Sequence, residues 1–177
     1  MAPPIAILGG GPAGLTLARL LEMAKVDYTV FERDSDSNAR IEQGGCLDLH
    51  EGSGLLALEE AGLLERFKQV ARYDATSTIA TAEGEIVGMP DHEGERSPRP
   101  EIDRKDLRTL LLGSIPQERV RWGSHVVQVQ RSDDGKVSVH FKDGSVASGF
   151  QLVVGADGAR SKVRDLVSVN GIPECGS

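Results

Sequence analysis

The sequence predicts an α/β fold: a parallel sheet with a crossover helix, joined to an antiparallel hairpin or meander. Three observations predict it. Residues 4–32 run strand, helix, strand within the length of one βαβ unit. Two alternating segments, Val126 to Arg131 and Val137 to Lys142, flank Asp133-Asp134-Gly135, which is a hairpin signal. Phe150 to Gly155 is a short apolar run that reads as a buried parallel strand.

The elements follow in order. Pro4 to Leu8 is an apolar run ending in glycines, as a buried strand would be. From Pro12 to Val26, Leu15, Ala18, Leu21 and Val26 recur on one helical face. Asp27 to Glu32 is the second strand, and the crossover between them should be right-handed. Asp34 to Gly45 is polar and reads as a loop. Ser53 is placed to cap a helix over 54–61 that Gly62 ends. Leu63 to Ala71 adds a further helical turn or two. Ser77 to Met89 reads as a hairpin around Glu83-Gly84, and Asp91 to Pro100 as an exposed loop. Asp103 can cap the next helix, with Asp106 in a capping-box-like position and Leu107, Leu110 and Leu111 as its apolar face. Val120 to Trp122 is a short strand.

Composition narrows the function classes. The chain has 177 residues, enough for one domain with a core. Its net charge of −7 disfavours binding to nucleic-acid phosphates, so nucleic acid is not an expected partner. No apolar run approaches the roughly 20 residues of a membrane helix, and the stretch after Met1 lacks the features of a signal peptide. Cys46 and Cys175 are far apart and read as reduced thiols of a cytoplasmic protein. His50, His92, His125 and His140 are scattered, so no metal site is expected.

The residues with chemical content begin at Gly9. Gly9-Gly10-Gly11-Pro12-Ala13-Gly14 contains G-x-G-x-x-G between a strand and a helix. Gly9 allows the tight turn, Gly11 lets a pyrophosphate approach the backbone, and Gly14 lets helix and strand pack closely. The N–H groups of the first helical turn, Ala13 among them, then face the phosphates. Glu32 ends the second strand 18 residues after Gly14, where a carboxylate can accept hydrogen bonds from ribose hydroxyls. This is a Rossmann-like dinucleotide site, and the glycines alone do not separate FAD from NAD.

Further segments carry a resemblance. They are I-L-G-G-G-P-A-G-L-T-L-A-R-L-L, F-E-R-D, A-R-I-E-Q-G-G-C-L-D-L-H-E-G-S-G, P-E-I-D-R-K-D-L-R and V-G-A-D-G-A-R-S-K-V-R. In this order, from Ile5 to Arg164, the chain resembles the group A FAD-dependent monooxygenases of the para-hydroxybenzoate hydroxylase fold. Within that group it is most similar to the tetracycline-inactivating flavin monooxygenases and their fungal relatives.

The resemblance implies FAD as cofactor, NAD(P)H as co-substrate and hydroxylation of an electron-rich small molecule, aromatic or polyketide-like. It implies that Asp157 and Gly158, with Ser161 and Arg164, hold the pyrophosphate region of FAD. Arg108 would contact FAD and Asp48 the flavin or its ribityl chain. Arg40 would serve nicotinamide binding, and Arg33 could lie over the adenine end. No catalytic side chain is expected, because the cofactor carries the chemistry.

The family's later G-D-A motif has no counterpart, since no Gly-Asp pair occurs in the chain. Residues 1–166 are therefore expected to form an incomplete FAD-binding domain, truncated before the substrate domain, with 167–177 a tail unlike the family. Such a chain is expected to pair as a homodimer or with a complementing chain. Two other readings stand beside the hydroxylase: a flavin-binding module without redox turnover, and a non-oxidative isomerase or cyclase reusing the pocket.

Overall fold

The computed structural model describes residues 5–39, 44–73, 79–88, 99–133 and 135–167. The chain divides into two compact units, Met1–Ile41 with Leu111–Ser177, and Glu42–Leu110. In chain order the elements are β1 (Ile5–Leu8), α1 (Pro12–Met23), β2 (Tyr28–Phe31), β3 (Cys46–Asp48), α2 (Leu56–Glu60) and α3 (Leu64–Lys68). Then come β4 (Ile79–Ala80), β5 (Ile86–Gly88), β6 (Glu101–Asp103), α4 (Arg104–Leu112), β7 (Val120–Arg121) and β8 (Val126–Arg131). The last are β9 (Val137–Phe141), β10 (Val146–Phe150), β11 (Leu152–Gly155) and α5 (Arg164–Val167). No helix among the described residues is long and apolar enough to cross a membrane.

The first unit is built on a parallel sheet in the order β11-β1-β2-β7. Ala6, Ile7 and Leu8 are fully buried, so β1 needs apolar residues at every position and not in alternation. Successive side chains of a strand leave on opposite faces. Ile7 lies on the face that α1 covers, within reach of Gly14. Ala6 and Leu8 pack with Phe31 against the meander β10-β9-β8, through Val129, Val139, Phe141 and Phe150. Phe31 is the hub: its ring lies 5.2 Å from Phe141 and 5.8 Å, edge-on, from Phe150.

At the amino end of this sheet a polar cluster closes the core. The buried Tyr28 hydroxyl donates to Glu22 Oε2 at 3.0 Å, and the Arg119 guanidinium lies 5.2 Å over the Tyr28 ring while pairing with Asp27. Burial, and then the Glu22 carboxylate, push the Tyr28 phenol well above its usual range.

Helix α1 stops three residues short of the expected Val26. Lys25 turns into the left-handed region at φ +56°. Its N–H donates to Glu22 O at 3.1 Å and that of Val26 to Leu21 O at 2.9 Å, the Schellman pattern. A glycine usually marks such a stop, and none is present here.

In the second unit β3 pairs antiparallel with β6, Cys46 opposite Asp103 and Asp48 opposite Glu101. Neither strand is foreseen from the sequence. Asp103 ends β6 and directly precedes α4, the position expected for a helix cap, and its carboxylate accepts from Arg72 Nη2 at 3.0 Å. The Ser53 cap is corrected. Winding begins earlier, in a π-helical turn over Glu51–Leu55, with the Leu55 N–H donating to His50 O at 3.0 Å. Gly62, at φ +67°, ends α2 as expected. The hairpin around Glu83-Gly84 is present but short, as β4 and β5. The loop expected over 91–100 falls outside the described residues up to 98.

The strand read over 150–155 is two strands. Phe150 ends β10, antiparallel to β9, and the chain bends at Gln151 before β11 runs parallel to β1. β11 is an edge strand with Leu152 half exposed, so its apolar run does not mean burial on both faces.

Lys25→Gly should stabilise the fold by about 0.5–1 kcal/mol, because relief of the left-handed strain exceeds the entropy glycine adds to the unfolded chain. A urea midpoint that rises at constant slope checks this; a lower midpoint would mean that the lysine side chain contributes more than its backbone strain costs.

Candidate functional site

In open α/β sheets ligands lie beyond the carboxyl ends of the strands. Here those ends carry, in sheet order, the Ala156-Asp157-Gly158 turn after β11, the glycine loop after β1, Glu32 after β2 and Trp122 after β7.

The glycine loop is shaped by contacts inside the protein. Gly9 sits at φ +107°, a conformation that disfavours any side chain. A Cβ there would run into the Ala156 carbonyl oxygen, and one on Gly14 would run into Gly9 O. The Gly9 N–H donates to Phe31 O at 2.9 Å, and the Ala156 N–H to Leu8 O at 2.8 Å, which ties the two turns to the sheet. Gly11 differs: a Cβ there meets nothing within 4 Å. It is the N-cap of α1, with Pro12 following at the start of the helix. Ala13 is exposed in the first turn, whose N–H groups have no intrahelical acceptor. Two glycines are thus required by packing, while the third leaves an open space before a helix N-terminus.

Glu32 is 5 % exposed. Its Oε2 accepts the Gly10 N–H in a short hydrogen bond, and its Oε1 accepts the Asp34 N–H at 3.0 Å. Gly10 was not singled out from the sequence. A Cβ on it would lie 2.9 Å from Glu32 Oε2, so a side chain there would have to displace the carboxylate. The only sequence signal was the run of three glycines. The main chain of Glu32 continues the network: its N–H donates to Arg121 O at 3.0 Å and its carbonyl accepts the Ser124 N–H at 2.7 Å.

On the other side, Asp157 Oδ2 accepts the Lys162 N–H at 2.8 Å, while Oδ1 is buried with no hydrogen-bond partner among the described residues. An unsatisfied buried carboxylate oxygen calls for a donor, such as a ligand hydroxyl or an ordered water. Gly158 takes φ +84° in the exposed turn that follows. Ser161 Oγ accepts the Val163 N–H at 3.3 Å, and Arg164 opens α5.

The first unit therefore brings together Gly9, Gly11, Ala13, Gly14, Glu32, Asp157 and Gly158. Arg33 is exposed just beyond Glu32. Arg40 lies outside the described residues. Asp48 is exposed on β3 and Arg108 half-buried on α4, both in the second unit. Among the described residues no cluster of His, Cys, Asp or Glu could hold a metal ion. The geometry fits a phosphate-bearing dinucleotide: an open approach at Gly11, free N–H groups, a buried carboxylate at the second strand end and an unsatisfied oxygen on Asp157.

Comparison with known proteins agrees. Residues 3–176 match the family described as FAD binding domain. The chain is 39% identical over 175 residues to monooxygenase asqM of Emericella nidulans, covering 90% of this chain and 39% of that protein. A protein of Photorhabdus luminescens subsp. laumondii, provisionally described as an FAD-containing monooxygenase, superposes with a TM-score of 0.72 at 26% identity, over 92% of this chain and 41% of that one. The tetracycline destructase Tet(51) shares the fold, with a TM-score of 0.69 at 23% identity over 94% and 42% of the two chains. The chain thus spans about two fifths of the length of the proteins it matches.

The two kinds of glycine should separate on substitution. Gly14→Ala should lower stability by roughly 3 kcal/mol or more, since its Cβ meets backbone that cannot move aside. Gly11→Ala should stay within about 0.5 kcal/mol of the parent, as a surface change does. Equal melting curves for the two variants would show the loop to be looser than drawn.

Proposed function

The chain belongs to the FAD-binding domain family, and from that premise we propose that its first unit binds FAD for an NAD(P)H-dependent monooxygenase acting on an electron-rich organic substrate. The observation that carries this reading is the open space over Gly11 in a loop whose other glycines are fixed by packing. When bound, FAD supplies the redox chemistry, passing electrons from NAD(P)H to dioxygen so that one oxygen atom enters the substrate and the other leaves as water.

The chain's own residues bind and orient. The N–H groups of the first turn of α1, with the positive end of the helix dipole, would hold the pyrophosphate. Glu32, its carboxylate fixed by the Gly10 and Asp34 N–H groups, would receive a ribose hydroxyl. Asp157 Oδ1 would accept a donor from the central part of the cofactor or a water bound to it. Arg33 would serve the adenine end, Arg108 and Asp48 the rest of FAD, and Arg40 the nicotinamide. Hydroxylation and its substrate are proposed for the whole protein, in line with relatives such as asqM that are named monooxygenases.

Titration with FAD tests the reading. Gly11→Val should fold like the parent and lose at least about tenfold in affinity, because the branched side chain occupies the phosphate approach. Glu32→Ala should lose about 1.5–3 kcal/mol of FAD binding, roughly ten- to hundredfold. Its apo form should also melt lower, since the Gly10 and Asp34 N–H groups lose their acceptor. FAD bound equally well by both variants would remove the loop from the site. The oxygenase part predicts NAD(P)H-dependent oxygen uptake by the FAD-loaded protein, and silence with both nucleotides would leave a binding module without turnover.

A further inference from the structure

Strand β11 ends on a glycine that leaves a slot in the core, and a residue from the following turn fills it. Gly155 pairs in parallel register with Leu8, as Val153 does with Ala6. In-register residues of neighbouring strands share a face, and Ala6 and Leu8 face the meander. A side chain at 155 would therefore enter the core between the parallel sheet and the meander. That space holds Val163, which is 8 % exposed and packs in the cluster of Leu8, Phe31 and Phe150. A Cβ on Gly155 would lie 3.0 Å from both Cβ and Cγ2 of Val163 and 2.7 Å from Ser161 Oγ. The next residue, Ala156, is held on the opposite face, where a Cβ on Gly9 or Gly14 would meet it.

Both ends of the turn are thus fixed by packing. Within it the Ser161 N–H donates to Gly158 O at 3.0 Å, the Val163 N–H to Ser161 Oγ at 3.3 Å and the Lys162 N–H to Asp157 Oδ2 at 2.8 Å. Lys162 directly precedes the buried valine, so seating Val163 places the N–H that holds one oxygen of Asp157. The other oxygen, Oδ1, is buried with no hydrogen-bond partner among the described residues. We propose that Val163 and Gly155 are positioning residues of the cofactor site: the valine, seated in the slot that the glycine leaves, holds Asp157 so that Oδ1 is left for a ligand donor. Both act through Asp157 and not on the cofactor itself. The proposal rests on the FAD reading above and deepens it at two residues chosen by strand register and packing.

FAD titration in a double-mutant cycle tests it. Gly155→Ala forces Val163 and Ser161 to shift, and should weaken FAD binding about tenfold where Asp157 is present but leave it unchanged in an Asp157→Ala background. A merely structural role would give the same loss in both backgrounds. Val163→Ala, the gentler variant, should show the same dependence on Asp157 with a smaller loss. In hydrogen exchange, the Lys162 N–H of the FAD-free chain should be protected, and Gly155→Ala should lower that protection. Undiminished affinity in a folded Gly155→Ala, or an equal loss in both backgrounds, overturns the positioning role and leaves the FAD reading standing. Absence of FAD binding by the unsubstituted chain overturns both. If neither variant folds, exchange in the unsubstituted chain decides: a protected Lys162 N–H supports the hold on Asp157, and exchange at the rate of an open loop overturns it.

Discussion

The carboxylate of Glu32 is the interaction on which the carboxyl end of the parallel sheet depends. One oxygen takes the Gly10 N–H, the other the Asp34 N–H, and the residue's own peptide groups bond Arg121 and Ser124. Three segments that are remote in sequence, the glycine loop, the end of β2 and the connector after β7, are thereby held to one residue that is 5 % exposed. Burying a carboxylate is unfavourable unless its lone pairs are met. Here backbone donors from Gly10 and Asp34 help to meet that need, at the strand end where a cofactor ribose is proposed to lie. The same side chain therefore holds the scaffold at the position proposed to bind the ligand. This is a different position from that of a solvated strand-end acid, which could serve neither purpose.

The second constraint is close packing on both sides of β1. Gly14 lets α1 approach until a methyl group could not be inserted before Gly9 O, and on the opposite face Leu8 and Phe31 meet Phe141 and Phe150. The parallel sheet is thus clamped between a helix and an antiparallel meander. Neither neighbour is optional, because a strand with apolar residues at every position needs cover on both faces. The Phe31 ring, close to two other rings, links the crossover unit at the start of the chain to the hairpin more than a hundred residues later.

Much of this was legible from residue order, for physical reasons that also explain the gaps. The first strand, helix and second strand could be read because their signals are local: apolar runs, 3.6-residue spacing and a glycine motif at the junction. The β8–β9 hairpin was legible from alternation and its turn. The pair β3–β6 was not, since Cys46–Asp48 finds its partner more than fifty residues away and each strand has only three residues. Phe150 misled because an apolar run cannot show where a chain reverses between two sheets; only the pairing of Phe150 with Val137, and of Leu152 with Ile5, does. The stop at Lys25 left no glycine to read. In the site, Gly9, Gly11, Gly14 and Glu32 were visible as a motif, but Gly10 and the 121–124 connector were not. Their roles come from hydrogen bonds to Glu32, and a backbone N–H has no letter in a sequence.

The cradle's origin bears on what binding must supply. A loop ordered only by its ligand spends part of the interaction energy on its own ordering, so affinity per contact is low. The loop here is set by contacts within the protein: Gly9 against Ala156, Gly14 against Gly9, Gly10 over Glu32, with the turn after β11 hydrogen-bonded to Leu8. None of these involves Gly11, whose Cβ direction is open. The division has a consequence for which residues can vary. Positions that shape the loop are restricted by the fold before any cofactor arrives, while Gly11 is restricted only if something must come close to it. A glycine that packing leaves free, set at the N-cap of a helix between two strand ends bearing carboxylates, suits the phosphate approach proposed above. On that proposal the phosphate approach is preorganised by the fold, and the strand order, with Asp157 on one side and Glu32 on the other, would give the bound molecule its direction along the sheet.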